Sequence, residues 1–141
     1  MKKKFLVLIM IICSLLIVGC SKEKNSTSSK MNNKVEVKEE GIFIDGAKIK
    51  EFDVLSVSNI FNFSIVFDNS NNKEIQFDCS QIEVKKGSQT MTIKYPDIKT
   101  VSANESYTQW GLPMSNTDGL KVGDSVDVYY GKTKLGTTKV R

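Results

Sequence analysis

Much of the chain alternates between apolar and polar positions with a period of two. Within residues 59–68, four apolar side chains occupy every second position: Phe61, Phe63, Ile65 and Phe67. Successive side chains of a strand point to opposite faces of a sheet, so this stretch predicts a half-buried strand with Asn62 and Ser64 on its polar face. Shorter alternating sets at residues 75–79, 91–95 and 126–130 predict three more strands.

Turn-forming residues separate further strands. Asp45 and Gly46 suit a tight turn into a strand at residues 48–57, and two weaker strands precede that turn. Gly131 with Lys132 suits a hairpin turn that leads into a last strand near the end of the chain.

The apolar positions change phase in the middle of the chain. They move from odd to even numbers between Cys79 and Ile82, which requires a bulge or a break in the strand. No stretch after residue 20 has a 3.6-residue period with caps at its ends. The pattern therefore predicts an all-β fold, an antiparallel sandwich or barrel of about seven or eight strands.

The first part of the chain has a different pattern. Three lysines precede an unbroken apolar run at residues 5–18, which as a helix would rise about 21 Å and so fall short of the roughly 30 Å hydrocarbon core of a bilayer. A positively charged N-terminal segment followed by an apolar run is typical of an export signal. Residues 16–20, ending in Gly19 and Cys20, resemble a bacterial lipobox. This resemblance implies cleavage before Cys20 and a diacylglyceryl group on its sulfur, although an uncleaved signal anchor remains the alternative.

Residues 21–34 contain one apolar side chain, Met31, among serine, asparagine, lysine and other polar residues. Such a segment cannot bury enough apolar surface to fold, so we expect a flexible linker between the lipid and a domain.

Several motifs of that domain resemble the immunoglobulin-like domain of small surface lipoproteins of Gram-positive bacteria. They are F-x-F-x-I-x-F-x-N at residues 61–69, I-x-F at residues 75–77, Gly87, and LKVGDSVDVYY at residues 120–130. The resemblance implies an immunoglobulin-like sandwich and no catalytic residue. The predicted domains are a lipoprotein signal peptide at residues 1–19, a lipidated cysteine with a flexible linker at residues 20–34, and an immunoglobulin-like β-sandwich at residues 35–141.

Composition excludes several kinds of site. The sequence contains no histidine, which rules out triads and zinc sites built on that residue. Removing Lys2, Lys3 and Lys4 with the signal leaves 17 of the 20 basic residues against 16 acidic ones, a net charge of +1. Because the only arginine is Arg141 and no basic stripe is evident, we do not expect nucleic acid as a partner.

Cys79 is the one cysteine outside the predicted signal and lipidation site, so it has no partner for an intrachain disulfide. It shares the phase of Ile75 and Phe77, which predicts a buried, inert thiol. A reactive nucleophile would need a basic neighbour, and the sequence offers none nearer than Lys85 and Lys86.

Two polar segments are candidates for binding sites. Residues 68–74 have oxygen side chains spaced somewhat like a calcium loop, but Lys73 replaces the required glycine, so we interpret them as a hairpin turn. Residues 100–119 predict a long loop that contains four large side chains: Tyr107, Trp110, Leu112 and Met114. These side chains either cover an open end of the core or form a recognition patch.

These observations favour a non-catalytic binding or interaction module, lipid-anchored at the outer face of the cytoplasmic membrane. Its expected partners are the membrane and another envelope protein, and no cofactor, metal site or catalytic residue is predicted. The alternative is a small protective protein that inhibits an extracellular enzyme through a loop. An enzyme would require a pair of carboxylates in a cleft, which scattered acids in a period-two chain do not predict.

The anchor is tested by Cys20→Ala, which we expect to leave an unprocessed precursor without lipid, because no other cysteine follows the apolar run directly. Labelled fatty acid and N-terminal mapping measure both effects. Cys13→Ala, which changes a cysteine inside the apolar run, should still be processed and labelled. Incorporation of fatty acid into Cys20→Ala would contradict the lipoprotein assignment.

Overall fold

The computed structural model describes residues 31–141, and within them the chain is built almost entirely of strands. The predicted signal peptide, Cys20 and the linker up to residue 30 lie outside the described residues. Eleven strands and one short 3-10 helix, η1, lie within them: β1 (Val35–Lys38), β2 (Gly41–Ile44), β3 (Ala47–Val57), β4 (Ile60–Asn69), β5 (Ile75–Asp78), η1 (Cys79–Gln81), β6 (Ile82–Lys86), β7 (Gln89–Ile93), β8 (Ile98–Val101), β9 (Glu105–Ser115), β10 (Ser125–Tyr130) and β11 (Thr133–Lys139).

Nine strands form one sheet in the order β1-β2-β3-β4-β9-β7-β6-β10-β11, and β5 and β8 form a separate two-stranded ribbon. All ladders between named strands are antiparallel. Strand β9 passes from one layer to the other, since it pairs with β4 along most of its length and with β7 only at its end. The large sheet thereby folds over on itself around a single apolar core.

The two layers also meet at the end of the chain. Val140 lies next to Val54 of β3 in a parallel bridge. Arg141 N–H donates to the Val54 carbonyl at 2.9 Å, and Ser56 N–H donates to the Arg141 carbonyl at 2.6 Å. The arrangement confirms the predicted all-β antiparallel sandwich, close to a barrel on this side, and is consistent with an immunoglobulin-like fold.

Strand β4 supplies the centre of the core, as its alternation predicts. Phe63, Ile65 and Phe67 are completely buried. The opposite face is less exposed than expected, because Ser64 and Val66 are buried too. Both faces of β4 are therefore buried at its middle.

The predicted turn at Asp45 and Gly46 and the predicted break after β5 are confirmed. Asp45 and Gly46 both adopt positive φ values, 49° and 91°, in the turn between β2 and β3. The change of phase after β5 is resolved by η1, where the Asp78 side chain accepts a hydrogen bond from Ser80 N–H and the chain restarts as β6. A one-turn helix inserted between two strands shifts the inward positions from odd to even numbers.

Two details of the prediction are wrong. The strand count exceeds seven or eight within the described residues, because β8 and β9 lie where the sequence pattern indicated no strand and because residues 75–86 form two strands, β5 and β6. Tyr95 does not continue the inward set of β7, which ends at Ile93, and its side chain is exposed. Lys94 N–H still donates a hydrogen bond to the Pro113 carbonyl of β9. Pro96 then ends the extended stretch, and the chain turns away from β9.

The buried position of Cys79 is confirmed, and it predicts slow thiol chemistry. Burial, together with the nearby Asp97 carboxylate, raises the pKa of the Cys79 thiol to about 12. At pH 8 the native thiol should react with a maleimide at least about a hundredfold more slowly than in the denatured chain, since only the thiolate attacks. A Cys13→Ser, Cys20→Ser chain isolates this signal. Equal rates in the native and denatured chains would contradict the buried assignment.

Candidate interaction surface

Most of the segment that the sequence predicts to be a long loop, residues 100–119, is a strand. Strand β9 occupies Glu105–Ser115 and lies between β4 and β7 in the large sheet. The loop prediction is therefore wrong. Only the short connection at residues 102–104 and the segment after β9 remain outside regular structure in this part of the chain.

A signal for this strand is present in the sequence. Four alternate side chains of β9 are partly or fully buried: Thr108, Trp110, Leu112 and Met114. Two features conceal this alternation. The residues before Trp110 are polar, and Gly111 and Pro113 are of types that are depleted in strands. Pairing with the long strand β4 overrides that local preference.

The structure divides the four predicted binding residues between the core and the surface. Leu112 and Met114 are each only 5% exposed and belong to the core cluster. Trp110 is partly buried, with its ring centroid 5.7 Å from that of Phe67 and 5.9 Å from that of Phe77. These three side chains therefore pack on the core, in agreement with the interpretation that the large side chains of this segment cover the core.

Tyr107 alone of the four lies on the surface, with 56% of the residue exposed. Its hydroxyl donates to Gln109 Oε1 at 2.7 Å, and Gln109 Nε2 donates to Ser64 Oγ at 3.2 Å. This chain of hydrogen bonds holds the Tyr107 side chain along the outer face of the sheet. An exposed, fixed aromatic ring costs little conformational entropy when a partner binds it.

Beside Tyr107, strand β9 has an unpaired edge. The ladder between β9 and β7 consists only of Ser115 with Thr92 and Met114 with Ile93, extended by the hydrogen bond from Lys94 N–H to the Pro113 carbonyl. Before Pro113, β9 pairs with β4 and with no other strand among the described residues.

The direction of the Pro113 carbonyl shows which main-chain groups face this edge. In an antiparallel strand, residues two apart direct their N–H and C=O groups to the same side. Since the Pro113 carbonyl faces β7, the main-chain groups of Gly111 and Gln109 face the same side. Proline is tolerated at position 113 because its missing N–H also lies on the edge side.

We refer to residues 107–111 as the open β9 edge. Natural sheets protect their edges with lysine, proline, bulges or covering segments. The open β9 edge has no charged residue, and its glycine, Gly111, is exposed with no heavy atom within 4 Å of the position that a Cβ would take. An extended segment of another chain could therefore approach and add a strand here.

Other polar groups of the described residues are engaged structurally. Asp78 is the only buried carboxylate in residues 31–141. Burial alone would raise the pKa of Asp78, but hydrogen bonds from Ser80, Met31 N–H and Gln81 outweigh it and lower that pKa. Asp78 therefore stays ionised and serves as an acceptor.

The predicted calcium-like segment is a turn held by its own side chains. Asn69 is fully buried and its amide donates to the Lys73 and Ser102 carbonyls at 2.9 Å each, while Asn71 donates to the Gly46 carbonyl at 2.8 Å. Within residues 31–141 no group of three or more cysteine or acidic side chains is placed to hold a metal ion. In the same residues, no helix has the length and apolar character needed to cross a bilayer.

Comparisons with known proteins identify no match for this chain. No protein-family model matches the chain, and no curated protein sequence or solved structure is similar to it.

The position of Trp110 predicts a stability effect. Trp110→Ala should lower the free energy of unfolding by about 2–3 kcal/mol, less than the roughly 3–5 kcal/mol for a fully buried aromatic residue, because one side of the ring is exposed. Tyr107→Ala, on the outer face of the same strand, should change it by no more than about 0.5 kcal/mol. Denaturation followed by circular dichroism measures both. Equal effects of the two substitutions would contradict the packing described here.

Proposed function

We propose that the protein is a lipid-anchored, extracytoplasmic, non-catalytic binding module that engages another envelope protein through the open β9 edge. The observation that carries this proposal is an uncharged, unpaired strand edge beside the exposed ring of Tyr107. Strand addition at such an edge obtains affinity from main-chain hydrogen bonds and specificity from neighbouring side chains.

The membrane part of the proposal rests on the sequence. The apolar run at residues 5–18 and Cys20 suit export and lipidation, and two acyl chains anchor a protein stably. The membrane is then the first partner, and the lipid places the domain at the outer face of the cytoplasmic membrane.

Three features support a binding role over catalysis. The sequence lacks histidine, and the buried carboxylate of Asp78 has a lowered pKa and several hydrogen-bond donors, which makes it a poor general base. The thiol of Cys79 has a raised pKa and is buried, which makes it a poor nucleophile.

The distribution of charge supports a protein partner over nucleic acid. Seven ion pairs join basic side chains to carboxylates in the described residues, including Lys86 with Asp124 and Lys134 with Asp127. Basic and acidic side chains thus lie beside each other at seven places on the surface, whereas phosphate binding requires a cluster of unpaired basic residues. The alternative of an inhibitor gains no support from residues 105–115, because they form a strand and not an inserting loop.

Photocrosslinking in cells tests the proposal. Benzoylphenylalanine in place of Tyr107 should give a discrete adduct with one envelope protein, whereas the same residue in place of Val37, exposed on β1, should not. Gln109→Pro removes the outward N–H and should lower the adduct yield at least about tenfold, while Gln109→Ala keeps the N–H and should retain the adduct.

The denaturation midpoint of each chain is measured as a control for folding. If Gln109→Pro disturbs it, Gly111→Lys replaces that variant, since the added side chain meets open space and places a charge on the edge. Equal adduct yields from positions 107 and 37, or an adduct that survives the edge-blocking change in a folded chain, would refute strand addition at β9.

A further inference from the structure

Residues 31–34, which the sequence assigns to the flexible linker, lie bound along one end of the sandwich. Met31 N–H donates to Asp78 Oδ2 at 3.1 Å, and the Met31 carbonyl accepts from Gln81 Nε2. Lys34 N–H donates to Asp45 Oδ1 at 2.8 Å, and Asp45 N–H donates to the Lys34 carbonyl at 2.9 Å. We call residues 31–34 the strap. The contacts at Met31 and Lys34 use main-chain groups, so they do not depend on the side chains at those positions.

Asn33 is the strap residue that is recognised by its side chain. Its Nδ2 donates to Asp45 Oδ2 at 2.5 Å and to the Gln76 carbonyl at 2.6 Å. Its Oδ1 accepts from the Tyr130 hydroxyl at 2.7 Å and lies 3.4 Å from Gln81 Nε2. Two acceptors therefore face the amide nitrogen and two donors face the amide oxygen. This arrangement is complementary to a primary carboxamide.

The partners of Asn33 form a built site. Tyr130 is fully buried, its ring stacked on Phe77 with centroids 5.0 Å apart. Its hydroxyl accepts from Asp78 N–H at 3.1 Å, and burial raises the pKa of Tyr130, so the hydroxyl keeps its proton and must donate it. Without Asn33 that buried donor would lose its protein partner, which is costly.

The same geometry selects against an acid at position 33. Aspartate would place a carboxylate oxygen against the Asp45 carboxylate and the Gln76 carbonyl, where Asn33 now donates two hydrogen bonds. Repulsion and lost hydrogen bonds would both oppose its binding. The site therefore selects a carboxamide at this position over a carboxylate.

A groove lies on either side of the strap. One, of about 590 Å³, is lined by strap residues together with Asp45, Gly46 and residues 73–76. The other, of about 580 Å³, is lined by strap residues together with Gln81, Glu83 and residues 130–133. Met31 borders both grooves, so the strap lies between them.

We propose that the surface contacted by the strap is a binding site for an extended, asparagine-bearing peptide and that the strap is its intramolecular ligand. The site consists of Asp45, Gln76, Asp78, Gln81 and Tyr130, and it shares no residue with the open β9 edge. An attached strap competes at an effective concentration of the order of millimolar, so a free peptide binds well only when the strap is disabled. The occupant is a peptide with the chemistry of the strap: main chain at both ends and a carboxamide between them.

The test uses the full-length chain in detergent and a fluorescent nine-residue peptide with the sequence of residues 28–36. By fluorescence anisotropy, the Asn33→Ala chain should bind this peptide at least about tenfold more tightly than the wild-type chain does. The matched control is Asn32→Ala, since Asn32 is exposed, and its affinity should equal that of wild type. A peptide carrying Asn33→Asp should bind the Asn33→Ala chain at least about tenfold more weakly than the parent peptide.

Folding of each chain is checked by its denaturation midpoint. If Asn33→Ala is unfolded, Met31→Pro replaces it, because this change removes the N–H that docks the strap on Asp78 and leaves the five site residues intact. The same gain in peptide affinity is then expected. Equal affinities of the strap-disabled and wild-type chains, or equal affinities for the asparagine and aspartate peptides, would overturn the proposal.

Discussion

The packing of aromatic rings around Phe77 is the interaction on which the rest of the structure depends. Phe77 is completely buried, and its ring contacts Tyr130, Trp110 and Phe67 with centroids 5.0, 5.9 and 5.0 Å away. These rings come from β10, β9 and β4, whereas Phe77 belongs to the ribbon of β5 and β8, which has no ladder with the large sheet. Each aromatic pair contributes about 0.5–1.5 kcal/mol beyond the burial of its area. The Phe77 side chain thus packs the ribbon against both layers.

The lengths of the strands decide where the sheet is closed and where it is open. Strand β9 has 11 residues, but its neighbour β7 has five and pairs with it only at one end. At the other side of the fold, Val140 and Arg141 close the gap to β3 through main-chain hydrogen bonds. A long strand shared by two layers therefore keeps a free edge where its second neighbour has ended. That edge is a property of the pairing and not of any single residue.

The sequence by itself determined the all-β class and most of the strands, because burial of alternate side chains is a local and repeated constraint. Phe63, Ile65 and Phe67 mark their strand without reference to any partner, and the change of phase between Cys79 and Ile82 marks the break that η1 makes. Positive φ at Asp45 and Gly46 follows from residue type in the same way. Apolar periodicity and turn chemistry act over a few residues, so they can be read along the chain.

The tertiary structure decided the location of both candidate sites, because each depends on residues that are far apart in sequence. Residues 107–111 contain polar residues and a glycine that predict a loop, and only pairing with β4 makes them a strand with an edge. Asn33 lies in a segment whose composition predicts a flexible linker, yet its carboxamide meets the Tyr130 hydroxyl, 97 residues away, and the Gln76 carbonyl, 43 residues away. Hydrogen-bond complementarity of this kind has no periodicity, since it arises only when distant turns and strand ends are brought together by the core.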